Sequence, residues 1–284
     1  MENEDRPRLR SVVSYVKRGG RMTVGQQRAW NEHWPRLGRT VGELPAGTLD
    51  FEAWFGRSAP VLIEIGSGMG ETTSQLAAAA PELNYVAVEV YDAGLGQLML
   101  RAKNLGVENL RLLHGDAVVL LTEHVEPGSL HGVRLFFPDP WPKKKHHKRR
   151  IVQPSFAALV ASRLAPGGTF HMATDWENYA EQMMDVCSAE PALRNVYADE
   201  PGGWAPRPEW RPVTKFEQRA DVEGRVSHDL PLYPRCSPLP RQRGERLIRR
   251  PAAPLGPASA RACRPTRRAA RPRRPAPPAP GSTG

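Results

Sequence analysis

The sequence predicts an α/β fold built on a doubly wound, mostly parallel sheet. Short apolar runs alternate with helix-length segments from Val61 to Cys187, the pattern of βαβ units. The first run stops at a glycine cluster, and the later ones end beside acidic or aromatic residues. In open parallel sheets, ligands bind at the carboxyl ends of the strands.

The elements follow in order. Val61–Ile65 is a short apolar run, read as a buried strand, and Gly70–Ala80 is an Ala-rich segment closed by Pro81, read as a helix. Asn84–Val90 is the second strand, and Ala93–Leu105 has helical periodicity with Gly106 as its C-cap. Asn109–His114 and Val133–Phe137 are the third and fourth strands. Gln153–Leu164 reads as a helix ended by Pro166-Gly167-Gly168, Thr169–Ala173 as the fifth strand, and Asn178–Cys187 as a further helix. Residues 1–57 are polar with clustered aromatics, and are expected to form an arm that packs on the domain.

Charge is unevenly spread. The chain has 40 Lys plus Arg against 30 Asp plus Glu, a net +10. Residues 235–284 alone hold 13 Arg and one acid, which leaves 27 bases and 29 acids in residues 1–234. The basic balance therefore belongs to the tail, whose Pro/Arg/Ala composition predicts disorder. Three cysteines make no disulfide framework, and no Cys/His set has metal-ligand spacing, so no metal is expected. No signal peptide or membrane-length apolar run is read, so a cytoplasmic protein with no membrane partner is expected.

Three segments carry chemistry. Glu64-Ile65-Gly66-Ser67-Gly68-Met69-Gly70 joins the first strand to its helix with GxGxG spacing. A dinucleotide site would have GxGxxG, and Glu71 would meet a pyrophosphate with like charge. These features argue against a nicotinamide-dependent dehydrogenase. A cationic, phosphate-free ligand such as S-adenosylmethionine suits Glu64, Gly66 and Gly68 better. Glu89 at the end of the second strand is placed to accept from ribose hydroxyls, and Asp116 after the third from an adenine amino group.

The second segment is Phe136-Phe137-Pro138-Asp139-Pro140-Trp141-Pro142, followed by Lys143-Lys144-Lys145-His146-His147-Lys148-Arg149-Arg150. Two prolines stiffen the Asp139 loop. Trp141 offers a face for base stacking, and six permanent cations in eight residues offer phosphate neutralisation. This is the chemistry of an RNA partner. The third segment comprises Asp175, after the fifth strand, and Thr214-Lys215-Phe216-Glu217. These are candidate readers of a base edge, though Asp175 also reads as an N-cap.

On these strings (EIGSGMG at 64–70, GDA at 115–117, FPDPWPKKKHHKRR at 137–150, ATD at 173–175, TKFEQR at 214–219) the chain resembles the bacterial tRNA (guanine-N7-)-methyltransferases over about residues 10–233. The resemblance implies a class I methyltransferase sheet with an antiparallel C-terminal strand. The methyltransferase domain would span 58–234, between the 1–57 arm and the 235–284 tail. It implies S-adenosyl-L-methionine held by Glu64, Glu89, Asp116 and Asp139, with Asp139 also catalytic. It further implies that Lys143, Asp175 and Thr214 to Glu217 bind the tRNA, and that the methylated atom is N7 of guanine 46 in the variable loop. A monomer is expected. Pro142 stands where the family often has His, and the Arg/Pro tail has no counterpart in the family. The alternatives are a methyltransferase acting on another RNA position and a non-catalytic RNA-binding module with this fold.

Overall fold

The computed structural model describes residues 14–15 and 20–236. The 235–284 tail therefore lies almost wholly outside the described residues, as does most of the first stretch of the arm.

The arm from residue 20 onward holds a helix that sequence periodicity does not announce. Helix α1, Val24–Leu37, starts with a capping box: Gln26 N donates to Thr23 Oγ1 at 3.3 Å, and Thr23 N to Gln26 Oε1 at 2.8 Å. Pro35 falls inside the helix, near its end, where it ought to act as a breaker. Trp30 and Trp34, one turn apart, stack with ring centroids 4.2 Å apart. Short elements follow: β1, Gly38–Thr40, and α2, Phe51–Phe55.

The core then runs largely as read, with two differences: a helix at Ala117–Glu123 that is not expected, and a strand that begins at Leu164, five residues before the expected Thr169. It comprises β2 (Val61–Ile65), α3 (Glu71–Ala79), β3 (Asn84–Glu89), α4 (Asp92–Leu105), β4 (Leu110–His114), α5 (Ala117–Glu123), β5 (Leu130–Phe136), α6 (Pro154–Arg163), β6 (Leu164–Thr174) and α7 (Glu177–Ala189). Then come β7 (Leu193–Asn195), α8 (Lys215–Val222) and β8 (His228–Pro234). The strand order is β1-β4-β3-β2-β5-β6-β8-β7. β1 to β6 pair in parallel, and β8 runs antiparallel to both β6 and β7. The sheet is thus mostly parallel with one reversed C-terminal strand, the fold class expected.

Side chains alternate across the sheet, as the strand period of two requires. Ile63, Val86, Val88, Val133 and Leu135 face a layer formed by α5, α6 and α7. Leu62, Tyr85, Ala87 and Phe136 face a layer formed by α1, α3 and α4. Helices on both faces bury the central strands completely, so the sequence shows continuous apolar runs there and no alternation. The carboxyl ends of β2 to β6 all emerge along one edge, which is where the candidate site lies.

Among the described residues no helix is long and apolar enough to cross a membrane, and no cluster of ligating side chains could hold a metal.

Candidate active site

A cleft of about 200 Å³ opens at that edge, bounded by Gly66, Gly68, Glu89, Asp116, Asp139 and Phe216 among others. The glycine turn forms one wall. Gly66, Gly68 and Gly70 all have left-handed φ, of 76°, 54° and 69°, which a side chain would strain. At Gly70 a Cβ would also lie 2.4 Å from Leu98.

Glu89 shapes this wall. Its Oε2 accepts from Gly68 N at 2.7 Å, and its Oε1 accepts from Val90 N at 2.7 Å and Tyr91 N at 3.1 Å. Asp116 caps α5, accepting from Val118 N at 2.7 Å. Both carboxylates line the cleft. The arm reaches it as well: Ser14 and Tyr15 complete the wall, and Ser14 O accepts from Trp141 Nε1 at 3.3 Å. Burial raises the Tyr15 phenol, with Asp116 adding to the shift. Neither residue stands out in the sequence, because nothing local marks a polar arm residue as part of a distant cleft.

Glu64 is placed differently. Strand parity turns it to the α3 side of β2, behind the glycine turn, where it is 3% exposed and does not line the cleft. Burial raises its carboxyl above the ordinary value, partly opposed by Arg134. Thr73 is its polar neighbour, but the two do not reach hydrogen-bond geometry, and neither Glu64 Oε2 nor Thr73 Oγ1 has a partner among the described residues. A buried acceptor left in this way favours a cationic ligand group nearby.

The Asp139 loop is held in an unusual shape. Phe137 and Trp141, on either side of Pro138-Asp139-Pro140, have φ of 51° and 46°. Bulky residues rarely adopt this region, and such outliers gather at functional sites. The loop is clamped at both ends: Phe137 N donates to Ala173 O at 2.7 Å, and Arg150 Nε donates to Pro140 O at 2.8 Å.

That second clamp corrects the reading of the basic run. Arg150 is 2% exposed and also bonds Asn178 and Gln182 of α7, so it is a structural anchor and not a phosphate contact. Trp141 is not a bare platform either. Arg149 lies over its ring at 4.7 Å, and His146 meets it edge-on at 5.9 Å. Burial and the surrounding cations hold the His146 imidazole below its ordinary value. Lys143, Lys144, Lys145 and Lys148 remain exposed.

Asp175 does not cap α7: Trp176 N is bonded by Thr174 Oγ1 at 3.2 Å, and Asp175 pairs with Arg225. Thr214 and Glu217 form the capping box of α8. Glu217 is 3% exposed and bound by Arg211 and Arg207 at distances from 2.6 to 3.4 Å. Arg211 also grips Asp229, which bonds His171 at 2.8 Å. In this network, burial would raise Glu217 and Asp229, but their cationic and imidazole partners outweigh it and hold both below ordinary values. Only Lys215 and Phe216 of the four-residue string are exposed, and Phe216 stacks on Phe137 with centroids 6.3 Å apart. Arg211 is wholly buried and escapes sequence reading, since an arginine beside prolines looks like a surface loop residue.

Residues 58–230 match a family described as "Putative methyltransferase". The tRNA (guanine-N(7)-)-methyltransferase of Chromohalobacter salexigens is 50% identical over 234 residues, 82% of this chain and 93% of the relative. The enzyme of that name from Aeromonas hydrophila subsp. hydrophila is 49% identical over 228 residues, 80% of this chain and 94% of its own length. This chain belongs to the tRNA (guanine-N7-)-methyltransferase family. Among solved structures, the 16S rRNA methyltransferase KamB aligns with a TM-score of 0.43 and 16% identity, covering 69% of this chain and 99% of that one. A member of this family is an enzyme with S-adenosyl-L-methionine as its methyl donor. The cleft suits that donor: three carboxylates line it, and the buried Glu64 oxygen lies behind the glycine turn.

Proposed function

We propose that this chain transfers a methyl group from S-adenosylmethionine to N7 of a guanine in tRNA, at position 46 of the variable loop. The observation that carries the reading is the Asp139 loop. It is forced into shape by two residues at positive φ, it borders the acid-lined cleft, and it runs directly into exposed lysines.

On this reading Glu89 accepts from the ribose hydroxyls, Asp116 from the adenine amino group, and Glu64 takes the charge of the donor's amino group. Gly66 and Gly68 let the backbone approach the donor closely. S-adenosylmethionine supplies an electrophilic methyl on a sulfonium. Guanine N7 already carries an in-plane lone pair, so no proton has to leave. The carbon–sulfur bond breaks as the carbon–nitrogen bond forms, and the positive charge passes from sulfur to the purine. The protein's task is alignment and charge stabilisation. Asp139 at the cleft mouth is the catalytic residue in this sense. Lys143 and its neighbours meet the phosphates, while Asp175, Thr214, Lys215, Phe216 and Glu217 form the substrate side, with Thr214 and Glu217 acting through the shape of α8. The enzyme works as a cytoplasmic monomer.

Incubation with labelled S-adenosylmethionine and unmodified tRNA, followed by mapping of the labelled nucleotide, tests this. Label as 7-methylguanosine at position 46 is expected, and label on another atom or nucleotide would overturn the assignment. Asp139→Asn should lower kcat by on the order of 10²-fold, the scale of lost transition-state electrostatics. Near-normal turnover would remove Asp139 from the mechanism.

A further inference from the structure

We infer that Arg225 is a positioning residue for guanine recognition, holding Asp175 by one carboxylate oxygen so that the other meets the base. The inference rests on the substrate role proposed above for Asp175.

Three segments converge here. Asp175 directly follows β6, and the Asp139 loop leaves the neighbouring strand, tied to it by the bond from Phe137 N to Ala173 O. Arg225 lies between α8, whose Phe216 stacks on Phe137, and β8, whose His228 pairs in register with Thr174 of β6. The Arg225 side chain is 31% exposed and that of Asp175 is 16% exposed. Neither is locked in the core.

The pairing is one-sided. Arg225 Nε and Nη2 both contact Asp175 Oδ2, at 3.0 and 2.7 Å. Among the described residues Asp175 Oδ1 accepts no hydrogen bond. The guanidinium is itself fixed, since Nη1 bonds Glu223 and the Trp176 ring lies 6.0 Å below. A carboxylate otherwise turns easily about its last torsion. With Oδ2 held, the direction of Oδ1 is set.

The chemistry presented is a single oriented acceptor. Guanine carries adjacent donors on its Watson–Crick edge, N1–H and the 2-amino group. Adenine has an acceptor at N1 and no 2-amino group. Sites built to hydrogen-bond a substrate donor reject analogues that lack it far better than apolar pockets reject size variants. Arg225 would therefore control base choice without touching the base.

The test uses the full chain with tRNA carrying guanine, inosine or 2-aminopurine at the methylated position, and compares kcat/KM. Wild type is expected to prefer guanine over the poorer analogue by roughly 10- to 100-fold, the worth of one charge-assisted hydrogen bond. Asp175→Ala should shrink that preference to within about threefold. Arg225→Met should do the same, with unchanged S-adenosylmethionine affinity and melting temperature, and Arg225→Lys should restore part of it. If Asp175→Ala removes the preference and Arg225→Met keeps it, the positioning role is overturned. If Asp175→Ala itself leaves the preference intact, the substrate role of Asp175 fails instead.

Discussion

Glu64 is a buried acid on the α3 side of β2, behind the glycine turn. An acid before a GxGxG turn suggests a cationic ligand, and the carboxyl here is buried with Oε2 unpartnered among the described residues. Yet strand parity sends its side chain behind the turn, while Glu89, Asp116 and Asp139 line the cleft itself. The alternation Leu62, Glu64 against Ile63, Ile65 carried that information, but a fully apolar run does not say which face a ligand will occupy. The placement makes opposite demands on stability and binding. Glu64→Gln removes a buried acid whose desolvation Arg134 only partly offsets, so melting temperature is expected to hold or rise. S-adenosylmethionine affinity measured by calorimetry should fall by on the order of tenfold, the worth of a hydrogen bond to a charged group. The carboxyl is raised by burial, and a cation beside it favours its ionised form. Wild-type affinity should therefore increase with pH through the Glu64 titration, and the glutamine variant should show no such rise. Equal affinity in the two proteins would separate Glu64 from the cofactor.

At the scale of elements, the long buried strands β2 to β6 and helices α3, α4, α6 and α7 were legible because their apolar runs and glycine stops agree. The elements that local periodicity does not announce break those rules for physical reasons. β8 carries Pro231 and Pro234, which locally argue against a strand, so the antiparallel C-terminal strand that lies between β6 and β7 is expected from the family resemblance alone. α5 is seven residues long, too short for periodicity to separate helix from strand. α8 is largely polar, but Thr-x-x-Glu is also the signature of a helix start, and the structure uses Thr214 and Glu217 in that way. The network behind α8 predicts acid sensitivity. Glu217 and Asp229 titrate below their ordinary values, and burial holds His171 below its own despite Asp229. Each group's folded pKa is depressed, so its contribution is full above the unfolded value and lost as pH falls. For His171 the loss begins near about pH 6.5, and for the carboxylates near about pH 4. Melting temperature should fall through both windows. Glu217→Gln should flatten the lower one, and an unchanged profile would show that the network does not set acid stability. Arg211→Met, which leaves two buried carboxylates without it, should cost about 3–5 kcal/mol in denaturant unfolding.

Over the whole molecule, charge and fold tell separate stories. The net +10 divides into +12 for residues 235–284 and −2 for the rest. The RNA reading therefore rests on local polarity just beyond the Asp139 loop, where Lys143, Lys144, Lys145 and Lys148 are exposed in a domain that is otherwise slightly acidic. If those lysines provide the phosphate contacts, removal of residues 237–284 should leave the log–log dependence of tRNA affinity on salt unchanged. A shallower slope after truncation would assign phosphate contacts to the tail. Fold class was legible at this scale because alternation survives across more than a hundred residues. The closure of the cleft by Ser14 and Tyr15 was not, because a contact between the arm and the loop at Trp141 leaves no periodic trace.

Glu89 joins two properties that most sites keep apart. The carboxylate proposed to hold the ribose is also the acceptor for three backbone amides, including that of Gly68 in the turn. Any residue that altered sugar preference at this position would also release the turn against which the donor lies. Evolutionary drift toward a different donor would have to begin elsewhere on the cleft wall, with Asp116 or the arm residues as the freer starting points, while Glu89 stayed in place.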